Sequence, residues 1–345
     1  MAESTVIKPA VRADRIPFLN DYLRFRNDPL NFWLETGKIG PLVRVNFGPA
    51  REMWVVTDPD LFQQILQKKS KNFPRDRQLR TRNGIDDSRT VFNAETYDEW
   101  RWRRRLLQPG FHRKQIEKFA ETMVSETQRL TDETADGLTI NLTNFMKKLT
   151  MRIICQTMFS ASLAETDRLQ HSFEQASEFS YSQLSSIVKT PIWLPTAAVR
   201  ETKRSVATKK EILGRIVQER LDSDEPQGDA EHSWDMLDML ISAQLEDEDE
   251  TNGRSFDYED LVAEMGSLVF AGHETTAMTM VWLMNVVATM PDVEAKLLAE
   301  IDEVLGDRTP TLADLDLMPY THQVVQETLR LFPSIYVTLR ESEAA

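Results

Sequence analysis

From Tyr258 to Met290 the chain holds an apolar run that admits few arrangements other than a long buried helix. Asp257 can cap its start, helped by Asp260, and Pro291 ends it because proline cannot continue a helix interior. As one helix the run would be roughly 50 Å long, enough to cross a whole domain. Apolar side chains occupy nearly every side of it, which predicts burial with other helices packed around it. Its centre, Ala271-Gly272-His273-Glu274-Thr275-Thr276, breaks that pattern. Glycine costs about 1 kcal/mol against alanine in a helix interior, and a buried carboxylate needs a partner. The combination reads as a functional kink.

Several arrangements would explain the break. The plainest is a buried helix with a satisfied polar interruption. A zinc protease needs a second histidine four residues after the first, and Ala277 stands there. A membrane span needs about 18 or more uninterrupted apolar residues, but Glu264, His273 and Glu274 divide this run. What remains is an acid beside an alcohol in the middle of a core helix, a pair suited to passing protons to a buried reactant.

The 345 residues suffice for a large core, and 41% hydrophobic residues fit a globular chain. A net charge of −14 argues against a general nucleic-acid surface. Cys155 is the one cysteine, so no disulfide framework can form and a reducing cytosol is expected. Met1 to Pro17 lack the apolar core of a signal peptide or transmembrane anchor, so a soluble, cytoplasmic protein is expected.

Along the chain, residues 1–20 read as a loose lead-in, and Asp28 to Leu34 as a short helix closed near Gly37. Leu42–Phe47 and Arg51–Thr57 alternate around Gly48-Pro49, which predicts a hairpin. Asp58-Pro59 should start a helix through Gln67. The polar stretch 72–94 has no period and reads as a long functional loop. Helical periodicity follows at 97–107, 112–136, 141–160, 165–187, 201–222 and 234–245, then an acidic loop at 246–250. After the central run come helices at 292–305 and about 320–331, and Ile335 to Leu339 reads as a strand. No Gly-x-Gly pair offers a dinucleotide fingerprint or a phosphate loop.

Two further clusters stand out. Glu327 and Arg330 lie three apart on a helix, which by itself predicts a surface ion pair of about 0.3–0.5 kcal/mol. Glu99-Trp100-Arg101-Trp102-Arg103-Arg104-Arg105 puts four arginines and two tryptophans on about a turn and a half of helix. It reads either as a solvated face with aromatic anchors or as a docking patch for an anion or acidic partner.

Together these stretches resemble the cytochrome P-450 family of haem-thiolate monooxygenases. Ala271 to Thr276 match that family's (A/G)-G-x-(D/E)-T-(T/S) pattern on its long I helix at every position. Glu327-Thr328-Leu329-Arg330 match its ExxR, preceded by Met318-Pro319-Tyr320, and Trp100 with Arg104 match its WxxxR, followed by Leu106-Leu107-Gln108-Pro109-Gly110-Phe111. The hairpin and Thr57-Asp58-Pro59-Asp60 fit the family's N-terminal sheet and the helix after it. The resemblance covers about residues 20 to 341. It implies a mainly α-helical domain around a long central helix, with a small N-terminal β-sheet.

The resemblance also implies roles. Thr275 would be the alcohol of the oxygen pocket and Glu274 the acid relaying protons. Ala271 and Gly272 would lie against a haem b cofactor, with Trp100, Arg104 and Arg340 on its propionates. Glu327 and Arg330 would be structural. The stretches 72–94, 175–200 and Ser334 to Thr338 would line a pocket for a small hydrophobic organic substrate. Arg101, Arg103 and Arg105 would face an acidic electron-transfer protein of ferredoxin or flavodoxin/reductase type, in a bacterial setting.

The family's axial cysteine lies in an FxxGxRxCxG loop after the ExxR helix, and this sequence contains no such loop. Cys155 sits in an apolar helical run, where a buried inert thiol is expected rather than a ligand. No metal ligation is expected of His273. The chain therefore reads as a single domain over 21–345, incomplete at its C-terminus. The reaction implied for the parent protein is insertion of one oxygen atom from dioxygen into its substrate. The competing reading is a non-catalytic fragment or decayed relative without thiolate-ligated haem.

Overall fold

The computed structural model describes residues 10–11, 20–47, 52–74, 89–94, 96–160, 165–185, 190–223, 235–246 and 255–342. Most of the expected lead-in, most of the 72–94 loop, part of the 175–200 segment and most of the 246–250 acidic loop lie outside them. Internal contacts divide the chain into one unit of residues 1–76 with 339–345 and a second of residues 77–338.

In the first unit, β2 (Leu42–Asn46) and β3 (Glu52–Val56) form the expected antiparallel pair, with Val43 opposite Val55 and Arg44 opposite Trp54. A strand the sequence did not suggest, β1 (Ala10–Val11), pairs in parallel with β2 inside what reads as loose lead-in. Two residues carry too little alternation to reveal a strand. Helices α1 (Asn20–Asn27) and α2 (Pro29–Gly37) pack beside the sheet over buried Phe32, Val43 and Val45. Asp28 caps α2, accepting from the Asn31 N–H at 3.0 Å. Helix α3 (Pro59–Gln63) starts at Asp58-Pro59 as expected and passes into one π-helical turn, Gln64–Lys68.

The second unit is helical: α4 (Tyr97–Leu107), α5 (Arg113–Lys118), α6 (Ala120–Asp132), α7 (Leu142–Phe159), α8 (Thr166–Ser185), α9 (Ala197–Asp222), α10 (Met236–Glu246), α11 (Tyr258–Thr289), α12 (Pro291–Val304) and α13 (Pro319–Leu331). The single helix expected over 112–136 is split into α5 and α6, because Phe119 flattens the backbone to φ −82°, ψ −5°. The strand expected at Ile335 to Leu339 has no regular secondary structure. Alternation in sequence does not by itself make a strand, which exists only by regular pairing with a neighbour. Glu300 on α12 caps α13, accepting from the Tyr320 and Thr321 N–H groups at 2.7 and 2.8 Å. No helix among the described residues is long and apolar enough to cross a membrane.

Helix α11 begins with the expected capping box, Asp257 accepting from the Asp260 N–H at 2.7 Å and Asp260 from the Asp257 N–H at 3.3 Å. It then runs unbroken to Thr289, so the expected kink at Gly272 is not a break in the helix. The glycine serves packing instead. A Cβ there would stand 2.8 Å from Ile154 Cδ1, so its absence lets α7 come close. The expectation of burial on all sides holds for the first half alone. Leu261, Met265, Leu268 and Val269 are buried with Met151 and Cys155 of α7, Ile212 and Leu213 of α9, and Leu237 of α10. Further on, Ala277 is buried against Leu130, Met146 and Leu149, while Trp282 and Met284 are each 41% exposed. Trp282 stacks on Phe332 at 4.4 Å.

Helix α4 is tied to α11 by charge. Arg103 is buried, contrary to its expected place in an exposed basic patch. Its Nη2 donates to Asp260 Oδ1 at 3.0 Å, its Nη1 to Glu264 Oε1 at 3.3 Å and to the Arg89 carbonyl at 2.8 Å, and its Nε to Glu99 Oε1 at 3.2 Å. Its guanidinium lies 4.7 Å from the Trp102 ring centre and 5.8 Å from that of Phe256. The sequence shows four arginines in a row of five residues, but a helix sends each to a different side. The one four residues after Glu99 turns inward.

Glu264 is 0% exposed, and burial pushes its carboxyl up from 4.5 to about 7 despite Arg103 beside it. The folded chain therefore binds this proton more tightly than the unfolded chain does. The stability this group contributes is full below about pH 4.5 and is lost as pH rises to about 7. Glu264→Gln keeps the shape and removes the titration. Urea midpoints measured from pH 4.5 to 7.5 should shift steadily in favour of the variant as pH rises; parallel curves would show an ordinary carboxylate.

Candidate active site

At about 100° per residue, α11 presents two opposed faces around its polar centre. His273, Ala277 and Met280 fall on the side packed against α7. Ala271 and Thr275 fall on the other, with Asp260 and Glu264 two to three turns earlier on the same line. Ala271 and Thr275 are both half-buried, and their side chains are small. The Thr275 hydroxyl donates to the Ala271 carbonyl at 2.6 Å, which fixes its rotamer and turns its lone pairs outward. Ser334, in the segment after α13, donates to the Thr275 carbonyl at 2.9 Å and lies 2.8 Å from Thr279 Oγ1. Thus Ser334, from a stretch expected to line a pocket, is fastened to the turn that carries Thr275.

Adjacent residues on a helix do not face each other, so the carboxylate of Glu274 points away from the hydroxyl of Thr275. It is half-buried and turned toward Lys147 of α7, whose Nζ lies 3.5 Å from Glu274 Oε1 and 3.4 Å from Glu174 Oε1 on α8. The other oxygen, Glu274 Oε2, is buried without a hydrogen-bond partner. A buried acceptor in that state costs about 1–3 kcal/mol unless water or a ligand satisfies it. Lys147 and Glu174 could not be picked out from the sequence, because nothing in a helical period says which surface charge meets a neighbouring helix.

His273 is 0% exposed, and neither ring nitrogen makes a hydrogen bond of normal geometry; the Lys147 carbonyl is the nearest acceptor. Burial, reinforced by the positive charge of Lys147, lowers its pKa from 6.5 to about 4. The ring is neutral and sits on the face of α11 away from Thr275. Gly272 likewise faces Ile154 of α7, leaving Ala271 as the small residue on the Thr275 face.

On α4, Arg104 stacks its guanidinium over Trp100 at 5.5 Å and pairs with no carboxylate among the described residues. Trp100 is half-buried against the main core, and Arg104, Arg101 and Arg105 are exposed. A stacked, forked donor of this kind suits a planar anion such as a propionate. The half-buried face of small side chains at Ala271 and Thr275 also fits a flat ring, so these residues are compatible with haem.

Cys155 does not fit an axial ligand. It is buried in the main core beside Met151 Sδ at 3.8 Å, and desolvation pushes its thiol up to about 12, so it stays protonated. Glu327 and Arg330 form a two-point ion pair at 2.6 and 2.7 Å on α13, with side chains 55% and 66% exposed. That is the surface pair their spacing alone suggests. Arg340 belongs to the first unit, where its Nη1 donates to the Leu339 carbonyl at 2.8 Å.

A family model described as cytochrome P-450 matches residues 13–344. The cyclooctat-9-en-7-ol 5-monooxygenase of Streptomyces melanosporofaciens is 29% identical over 95% of this chain and 69% of its own length. Cyclooctatin synthase from the same organism is 31% identical over 94% of this chain and 69% of its own. Among solved structures, a retinoic acid-bound cyanobacterial CYP120A1 superposes with a TM-score of 0.77 at 20% identity, covering 97% of this chain and 71% of that one. At that identity the likeness speaks for the fold.

The neutral His273 carries its own test. The unfolded chain takes up a proton below about pH 6.5 that the folded chain refuses until about 4, so this group's stability is full above 6.5 and lost as pH falls. His273→Phe should flatten that acid loss and be at least as stable as the parent at pH 5 in urea unfolding. An unchanged acid slope would show that the ring is solvated.

Proposed function

This chain belongs to the cytochrome P-450 family of haem-dependent monooxygenases, and on that premise we propose which of its residues serve the reaction. The substrate is a small hydrophobic organic molecule, a reading supported by the relatives' names. The cofactor is haem b, with Trp100 and Arg104 on a propionate and Ala271 leaving room on the ring face. Cys155 is not its axial ligand. When bound, the haem supplies the iron chemistry that activates dioxygen.

What the chain's own groups do follows from their positions. The Thr275 hydroxyl, held by the Ala271 carbonyl, offers its oxygen to a proton donor and can pass its own proton onward. Glu274 is the acid through which protons are relayed toward it. Because its carboxylate points around the helix from Thr275, a water must bridge the two, and the unsatisfied Oε2 is the atom such a water would bind. Lys147 holds that carboxylate on the α7 side of the helix. Electrons come from an acidic ferredoxin- or flavodoxin-type protein docking near Arg101 and Arg105, and Arg103 has no part in that surface. Glu327 and Arg330 hold α13 in a structural role.

The observation that carries this reading is the Thr275 hydroxyl fixed on a half-buried small-residue face beside an incompletely bonded carboxylate. Thr275→Ala should leave haem binding intact yet divert most of the electrons from product to peroxide or water, read as product formed per electron consumed. Unchanged coupling would remove Thr275 from proton transfer. Arg104→Ala should speed haem loss about tenfold or more without changing which substrate is preferred; unaltered haem retention would remove the propionate assignment.

A further inference from the structure

We propose that Arg103, through Asp260 and Glu264, is the positioning residue that sets α4 on the same face of α11 that carries Ala271 and Thr275. It would thereby hold Trp100 and Arg104 at a fixed distance from that face. The inference rests on the haem-anchor reading of Trp100 and Arg104.

The geometry is unusual for a basic cluster on an acidic protein. Arg103 is 4% exposed and Glu264 0%, so the pair lies away from water and is little screened. Four contacts hold the one guanidinium: Asp260 and Glu264 on α11, Glu99 one turn earlier on α4, and the Arg89 carbonyl. Arg89 in turn lies 3.3 Å from Asp257, the cap of α11. Trp102 and Phe256 cover the assembly, 5.2 Å apart.

Asp260, Glu264, Ala271 and Thr275 fall within about 40° of one line along α11 at 100° per residue. Glu264 precedes Ala271 by about two turns, roughly 10 Å, and Thr275 by about three, roughly 16 Å. Arg104 follows Arg103 directly on α4. The apolar contribution of α4, Leu106 and Leu107 buried in the main core, is non-directional and would tolerate sliding. A forked guanidinium between two carboxylates one turn apart on α11 does not tolerate it. The charges therefore set the register of α4 while the apolar contacts supply its adhesion.

Arg103→Met alone leaves carboxylates in the core without their cation and can unfold the chain. The decisive variant is the triple Arg103→Met, Asp260→Asn, Glu264→Gln, which removes the charges together and keeps side-chain sizes. In the full chain, two readings are taken: hydrogen exchange of residues 97–107 without haem, and the rate of haem transfer to excess apomyoglobin. Urea unfolding serves as the control for global stability. The expected result is cooperative urea unfolding with a midpoint no lower than the parental one, exchange of α4 amides at least tenfold faster, and haem loss at least tenfold faster. Parental α4 exchange, or loosened α4 with parental haem loss, overturns the proposal. Arg104→Ala is measured beside it. If that variant alone loses haem faster, the positioning role fails and the haem-anchor reading stands. If Arg104→Ala leaves haem loss unchanged, the haem-anchor reading has failed, and with it the proposal's claim on haem.

Discussion

A guanidinium enclosed by protein must be surrounded by acceptors, and Arg103 meets that demand with groups from three parts of the chain. Removing such a cation from between buried carboxylates typically costs 3–5 kcal/mol, because the charges left behind are unsolvated. The same network is no great source of stability, since an apolar replacement of similar volume can do as well. Its value is directional. Helix α4 contributes Leu106 and Leu107 to the main core that also holds Leu261 and Met265 of α11, and burial of that kind is satisfied by several registers. The Arg103 contacts are satisfied in one.

The second constraint lies across the same helix. Gly272 admits Ile154, and Ala277 admits Met146 and Leu149, so α7 runs close along one side of α11. That side absorbs His273 and keeps it neutral. Close packing there leaves the opposite side, with Ala271 and Thr275, half-buried, and that is the side on which the proposed chemistry rests. Glu274 sits between the two, its carboxylate drawn toward Lys147. A single six-residue motif thus gives some of its members to packing and leaves the others to the proposed reaction.

Much of this was legible beforehand. The extent of α11, its capping box, the hairpin and most helix positions follow from local rules of capping, periodicity and proline placement, which act within a few residues. The pairing of Glu327 with Arg330 is equally local. Less legible were features that depend on what lies across an interface. Two-residue β1 exists by pairing with β2 alone. The alternation at Ile335 to Leu339 does not by itself make a strand. Arg103 looks like its neighbours until the helix is seen to turn it inward, toward acids more than 150 positions away in the chain. Lys147 and Glu174 are ordinary helix charges until α7 and α8 bring them to Glu274.

The sequence by itself determined the helical class, the central helix and the identity of the acid–alcohol pair, because each rests on the order of side chains along a few turns. Tertiary structure decided which side of that helix is packed against α7 and which is left half-buried. It also decided that Gly272 allows the close approach of Ile154, that Cys155 is an inert core thiol, and that one arginine of the basic run is an internal tie. The physical reason is the same in each case. Burial, desolvation and charge pairing are properties of the surroundings, and those surroundings come from parts of the chain that sequence proximity does not reveal.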